Sequence, residues 1–182
     1  MIIWINGAFG SGKTTLVKEL RKRIKKSYIF DPEDTGAFIE KSIPEETKKD
    51  DFQDYMLWRE INYSLLKYID ETSDSTIIVP MTIVNRNYCD EIIGRLKNDG
   101  VMVKQFILDL PKDILIQRIR ERENVKFSWA EMQIDRSLDG LRKIKDAYHI
   151  DCASIGVNEK TDIILRKIYG DMEEHKSCKK YL

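Results

Sequence analysis

A chain of 182 residues is long enough for one domain with a substantial core, or for one domain with a small mobile insert. Lysine plus arginine and aspartate plus glutamate both total 31, so the net charge is zero and nothing global points to nucleic acid or an anionic membrane. Cys89, Cys152 and Cys178 are scattered and form no C-x-x-C pair, which suits a reducing cytoplasm and argues against a disulfide frame or a zinc site. No apolar run is long enough to cross a bilayer, and no basic region followed by an apolar run opens the chain, so neither a membrane span nor a secretory leader is expected.

Residues 2–6 are apolar without alternation, the pattern of a strand buried on both faces. A glycine-rich turn follows. Gly7, Gly12, Lys13 and Thr14 stand at the spacing G-x-x-x-x-G-K-[ST] of a phosphate-binding loop. Glycines let successive N–H groups point inward, and the helix that follows adds its unpaired amides and dipole. The whole stretch Gly7, Ala8, Phe9, Gly10, Ser11, Gly12, Lys13, Thr14 and Thr15 is therefore expected to hold a nucleotide's phosphates. Lys13 supplies a full charge near the β- and γ-phosphates, and the Thr14 hydroxyl is a hard oxygen suited to Mg²⁺.

Leu16, Val17, Leu20 and Ile24 recur at helical spacing, with a basic face opposite. Residues 28–30 read as a second strand, which Pro32 stops. Residues 35–51 read as polar and irregular, with one helical turn near Phe38 and Ile39. A helix is expected over 52–69, with Trp58, Ile61, Leu65 and Ile69 on one stripe. Residues 76–80 form a third strand. Tyr88, Ile92 and Leu96 mark a helix that Gly100 ends. A fourth strand lies within 101–110, followed by a helix to about residue 123, a loop over 124–128, and a helix carrying Ile134, Leu138 and Leu141. Residues 149–153 give a fifth strand. Asn158 is expected to cap a last helix, and 173–182 to form a charged, frayed tail.

Strands alternating with helices imply an α/β fold: a five-stranded parallel sheet with helices on both faces, spanning residues 1–172. Ligands in such sheets sit at the carboxyl ends of the strands, which brings the phosphate loop, residues 31–34 and residues 80–84 around one cleft.

Phosphoryl transfer needs positioning, Mg²⁺, positive charge on the transferred group, and a residue to orient the acceptor. With only His149 and His175 in the chain, neither expected near the cleft, the base is expected to be a carboxylate: Asp31, Glu33 or Asp34. The same acids could instead cap a helical turn. Arg118 and Arg122 share a helix face, and with Arg136 and Arg142 they flank a flexible segment, so residues 118–136 read as a small arginine-bearing lid over the phosphates. Arg120 reads as an ordinary surface ion-pair partner. Between Ile24 and Val84 the only arginine is Arg59, which favours an uncharged, partly apolar acceptor over a nucleoside monophosphate. Tyr55 and Trp58 could stack on a base or sugar, or could simply be core. Strand three ends in Pro80, without the aspartate that often orders Mg²⁺ there, which weakens any reading as a motor or switch ATPase.

The opening Ile2-Ile3-Trp4-Ile5-Asn6-Gly7-Ala8-Phe9-Gly10-Ser11-Gly12-Lys13-Thr14 resembles the start of the tunicamycin-resistance ATP-binding proteins. Phe30-Asp31-Pro32-Glu33-Asp34-Thr35-Gly36 and Ile78-Val79-Pro80-Met81-Thr82 are similar to the same family, and the resemblance runs to about residue 170. It implies a P-loop fold like that of nucleoside monophosphate and small-molecule kinases, ATP at residues 7–15, and a ligand near residues 31–34 and the Trp58 helix. It also implies resistance to a uracil-containing nucleoside antibiotic. Residues and resemblance together point to an ATP- and Mg²⁺-dependent phosphotransferase acting on a small molecule. ATP-driven sequestration of that molecule, a nucleoside monophosphate kinase and a regulatory ATP-binding module stay open as alternatives.

Overall fold

The computed structural model describes residues 1–123 and 128–178, with side chains described for 1–122 and 128–170. In chain order the elements are β1 (Ile2–Gly7), α1 (Lys13–Arg23), β2 (Ser27–Ile29), α2 (Pro32–Ser42), α3 (Met56–Thr72), β3 (Thr76–Pro80), α4 (Arg86–Cys89) and α5 (Arg95–Asn98). They continue with β4 (Val103–Asp109), α6 (Lys112–Glu123), α7 (Trp129–Met132), α8 (Ile134–Leu141), β5 (Tyr148–Asp151) and α9 (Val157–Cys178). Two short 3-10 turns, Glu45–Thr47 and Phe52–Asp54, precede α3, and a π turn, Asp90–Gly94, joins α4 to α5.

The five strands form one parallel sheet in the order β2-β3-β1-β4-β5. The central strand β1 pairs with β3 through Ile2 and Ile77 and with β4 through Ile2 and Val103. Its side chains alternate between two cores, which is why the run is apolar throughout. Ile3 and Ile5 pack against Leu16, Val17 and Leu20 of α1 and Ile164 and Ile168 of α9. Ile2 and Trp4 pack against Trp58 and Leu66 of α3 and Ile92 and Leu96 on the other face. Burying each of these side chains contributes about 1.5–3 kcal/mol.

Four expectations need correction. Residues 32–42 are a full helix where one turn was expected. Pro32 sits at its first position, and the Asp31 side chain caps it by accepting from Glu33 N at 3.1 Å. The polar run with Gly36 in its middle reads as loop, but Gly36 is there for contact: a Cβ would lie 2.7 Å from the Phe52 ring.

Helix α3 is rotated from the expected stripe. Its inner face carries Trp58, Arg59, Asn62, Tyr63 and Leu66, and Leu65 is exposed. Polar residues win that face because each finds partners. Arg59 donates to Glu91 at 2.5 Å and to the Gln53 carbonyl at 2.6 Å, and Asn62 donates to the Trp58 carbonyl at 2.7 Å.

Asn158 lies inside α9 and does not cap it; its side chain accepts from Arg23 at 2.9 Å. Helix α9 continues to Cys178, past the point where the tail was expected to begin. Residues 124–127 of the expected loop, 179–182 of the tail, and the side chains of His175 and Cys178 lie outside the description. Cys89 and Cys152 are free and buried, and burial pushes both thiols up to about 11.

Candidate functional site

The carboxyl ends of β1 and β3 are clamped together by two side chains. Asn6, fully buried, donates to the Ile83 carbonyl at 2.8 Å and accepts from Gly7 N at 2.9 Å and Ile83 N at 3.1 Å. Thr82 donates its hydroxyl to the Gly7 carbonyl at 2.7 Å. These bonds fix the start of the phosphate loop against the segment that follows β3. Sequence reasoning did not assign either residue this part; the polar Asn6 ending an apolar strand was the available signal.

The loop then turns into α1. Gly12 sits at φ 92° at the helix start, a left-handed conformation that glycine adopts at low cost. The first intrahelical bond is Leu16 N to the Gly12 carbonyl at 3.0 Å, so the first-turn amides of Lys13, Thr14 and Thr15 are those a helix leaves for an anion. The Ser11 hydroxyl is buried with no hydrogen-bond partner in the structure. It lies 2.6 Å from where a Cβ at Gly7 would stand, so the packing under the loop leaves no room for a side chain at that position.

Lys13 folds back over this loop, donating to the carbonyls of Gly7 at 2.9 Å and Ala8 at 3.2 Å. Burial lowers its ammonium to about 8; Glu33 opposes the shift, Arg122 adds to it, and Asp31 opposes it. A triphosphate beside it would hold the ammonium charged to higher pH. One cavity of about 470 Å³ is lined by the loop with Lys13, Thr14 and Thr15, by Glu33 at the start of α2, and by Arg118 and Arg122 of α6. The expected cluster thus converges, with one division of labour. Glu33 faces the phosphate cavity. Asp31 is committed to capping α2 and lines a separate groove of about 390 Å³ with Asp34 and Phe38. Burial, then the neighbouring carboxylate, raises both Asp31 and Glu33 above the usual carboxylate range; for Asp31 the cap bond pulls back the other way.

Other candidates fall outside the cavity. Arg120 pairs with Glu131 at 2.6 Å, as expected of a surface partner. Arg142 lies within reach of Asp139 at 3.8 Å and lines a different cavity. His149 bonds Asp109 at 2.8 Å and the Ile144 carbonyl at 2.9 Å, on the far edge of the sheet. Of the two readings of Tyr55 and Trp58, the core one holds. Trp58 is fully buried with its indole N–H on the Pro32 carbonyl at 2.9 Å, and Tyr55 is buried with its hydroxyl accepting from Lys49 N at 2.7 Å. Among the described residues no three His, Cys, Asp or Glu side chains converge to hold a metal; Thr14, Thr15 and Glu33 are the hard oxygen donors among the side chains that line the phosphate cavity. No described helix is long and apolar enough to cross a membrane.

A parallel sheet with strand order 2-3-1-4-5 and a glycine-rich loop leading from its central strand into a helix defines a P-loop nucleotide-binding protein, and residues 2–144 match the AAA domain family. Within that class the chain belongs to the family of the tunicamycin resistance proteins. It is 30% identical to the tunicamycin resistance protein of Deinococcus radiodurans, whose structure superposes with a TM-score of 0.78 over 92% of this chain and 94% of that one. A gluconokinase from Sinorhizobium meliloti (16% identity, TM-score 0.60, 93% of this chain and 95% of that one) shares the fold. So does a shikimate kinase from Acinetobacter baumannii (15%, 0.62, 93% of each chain). No curated protein sequence matches the chain.

Proposed function

We propose that the protein is an ATP-dependent phosphotransferase that modifies a small neutral acceptor, with tunicamycin as the first candidate. The observation that carries this reading is the gathering of Lys13, Thr14, Glu33, Arg118 and Arg122 around one cavity on the phosphate loop. In this reading the amides of residues 7–15 and Lys13 hold the β- and γ-phosphates, and Arg118 and Arg122 stabilise charge on the transferred group. Thr14 would hold Mg²⁺, which when bound neutralises charge developing between the phosphates. Glu33 orients the acceptor hydroxyl and takes its proton as the new O–P bond forms and the bond to the ADP oxygen breaks. Its raised affinity for protons suits a base in a site poor in histidine. The buried free thiols suit work in the cytoplasm.

Tunicamycin incubated with the protein, ATP and Mg²⁺ is expected to gain the mass of one phosphoryl group, with ADP released in equal amount. Intact drug retained by stoichiometric protein would replace transfer with sequestration. Release of ADP with nucleoside monophosphates alone would replace it with a monophosphate kinase.

A further inference from the structure

Between α8 and the β4–β5 end of the sheet lies a cavity of about 640 Å³, larger than the one on the phosphate loop and sharing no lining residue with it. Small-molecule sites occupy about 300–1,000 Å³, so the space suits a ligand. The charges that line it are sorted by wall. We infer that this cavity is a second ligand site and that it takes a short peptide with free ends. The peptide's ammonium lies against Asp109 and Asp151, and its carboxylate against Arg142 and Lys145. This site is independent of the phosphotransferase reading.

The acidic wall follows from strand register. Asp109 ends β4 and Asp151 ends β5, and the two are partners across the parallel pair. Like charges set opposite each other on a sheet repel, and a cation between them removes the penalty. His149, two residues before Asp151 and on the same face of β5, bonds Asp109 at 2.8 Å and the Ile144 carbonyl at 2.9 Å. It answers one carboxylate of the two. Asp151 accepts from Ala153 N at 3.0 Å and has no ion-pair partner among the described residues.

The basic wall comes from the end of α8 and the turn after it. Arg142 is the C-cap of that helix and stands 3.8 Å from Asp139, too far for a hydrogen bond. Lys145 has no hydrogen-bond or ion-pair partner among the described residues. Neither base pairs with Asp109 or Asp151, although all four line the same cavity, so the two walls stand too far apart to satisfy each other. Between them the lining is apolar, from Leu108 and Leu110 leading out of β4 and from Leu138 and Leu141 of α8. An aliphatic side chain laid on this floor leaves water for an apolar surface.

Separated charges and an apolar centre set the ligand class. A simple anion or cation leaves one wall unanswered. A free amino acid carries both charges on one carbon and serves one wall at a time. Two or three extended residues reach roughly 7–10 Å end to end, with one charge at each end and side chains between.

The test is calorimetric titration of the full chain with leucyl-leucine, with and without Mg²⁺ and a non-hydrolysable ATP analogue. Leucyl-leucine is expected to bind in both conditions. Its N-acetyl and C-amide forms, free leucine and glycylglycine are each expected to bind at least about tenfold more weakly, since each lacks one charge, the charge separation or the apolar contact. Asp151→Asn and Lys145→Gln are expected to weaken leucyl-leucine by about the same factor and to leave the melting temperature within about 2 °C, which certifies that the variants are folded. Displacement of leucyl-leucine by the ATP analogue would put it on the phosphate loop and overturn the proposal. So would free leucine binding as tightly as the dipeptide, binding that survives both blocked ends or both variants, or no binding of leucyl-leucine at millimolar concentration.

Discussion

The phosphate cavity and a second pocket beside Phe9 share that ring as a wall and differ in nearly everything else. The first is roomy, cationic and built mostly from one continuous stretch, residues 9–15, with two arginines one helical turn apart. The second is small, charge-balanced and assembled from segments near residues 53, 82, 129 and 137 that meet only in the folded chain. Anion binding can be local because backbone amides and a helix terminus do most of it. Recognition of a neutral ligand needs side chains at chosen directions, and those come from tertiary packing.

That contrast can be broken most directly at Lys13. Lys13→Met is expected to lower phosphoryl transfer by about 1,000-fold through loss of a preorganised charge, read as initial rate under saturating ATP. The same variant is expected to melt at a slightly higher temperature. The ammonium is held at about 8 in the folded protein against an ordinary 10.5, so its charged form is penalised by folding, on the order of 1 kcal/mol after allowance for the solvent that still reaches it.

Asn6 tests whether the two regions share one frame. Asn6→Ala leaves Gly7 N and both backbone groups of Ile83 without their buried partner, so about 3 kcal/mol of stability and about 6–12 °C of melting temperature should be lost. A smaller loss would mean that the clamp is not what aligns β1 with β3.

Arg118→Ala and Arg122→Ala are each expected to cost about 100-fold in transfer with little change in acceptor affinity, measured as kcat against KM. Arg120→Ala, whose partner is Glu131, should change transfer by about twofold or less, so equal effects at all three arginines would erase the distinction between cavity and surface.

A further expected effect is on pH. Lys13 must be protonated to bind phosphate well, and its ammonium sits at about 8. ATP affinity should therefore be flat below about pH 8 and fall by up to about tenfold per unit above it, by titration across the range. In Lys13→Met that slope should vanish.

Sequence spacing exposed the cationic cavity because its determinants are contiguous or lie four residues apart on a helix. The strands β1, β3 and β4 were legible for a similar reason, since each carries a short apolar run between turn residues. Helix α2 was missed although its signals were present: Asp31 as cap, Pro32 at the first position, Glu33 and Asp34 in the first turn. Gly36 hid them, and its reason for being there, the Phe52 ring, lies outside any local window. The α3 stripe failed because periodicity assumes that polar residues face water, whereas Arg59 and Asn62 carry their partners inward. Asn6 and Ile83 are 77 positions apart, and no pattern along the chain links them.

The placement of the three tryptophans gives the molecule an optical handle. Trp4 and Trp58 are sealed in the core while Trp129 is half in water beside the loop. A dissolved quencher such as acrylamide reaches the last and spares the others, so the red edge of the natural fluorescence belongs to one indole. Events at the loop can then be followed by emission alone, on an unlabelled chain and on the millisecond scale of a stopped-flow mixer.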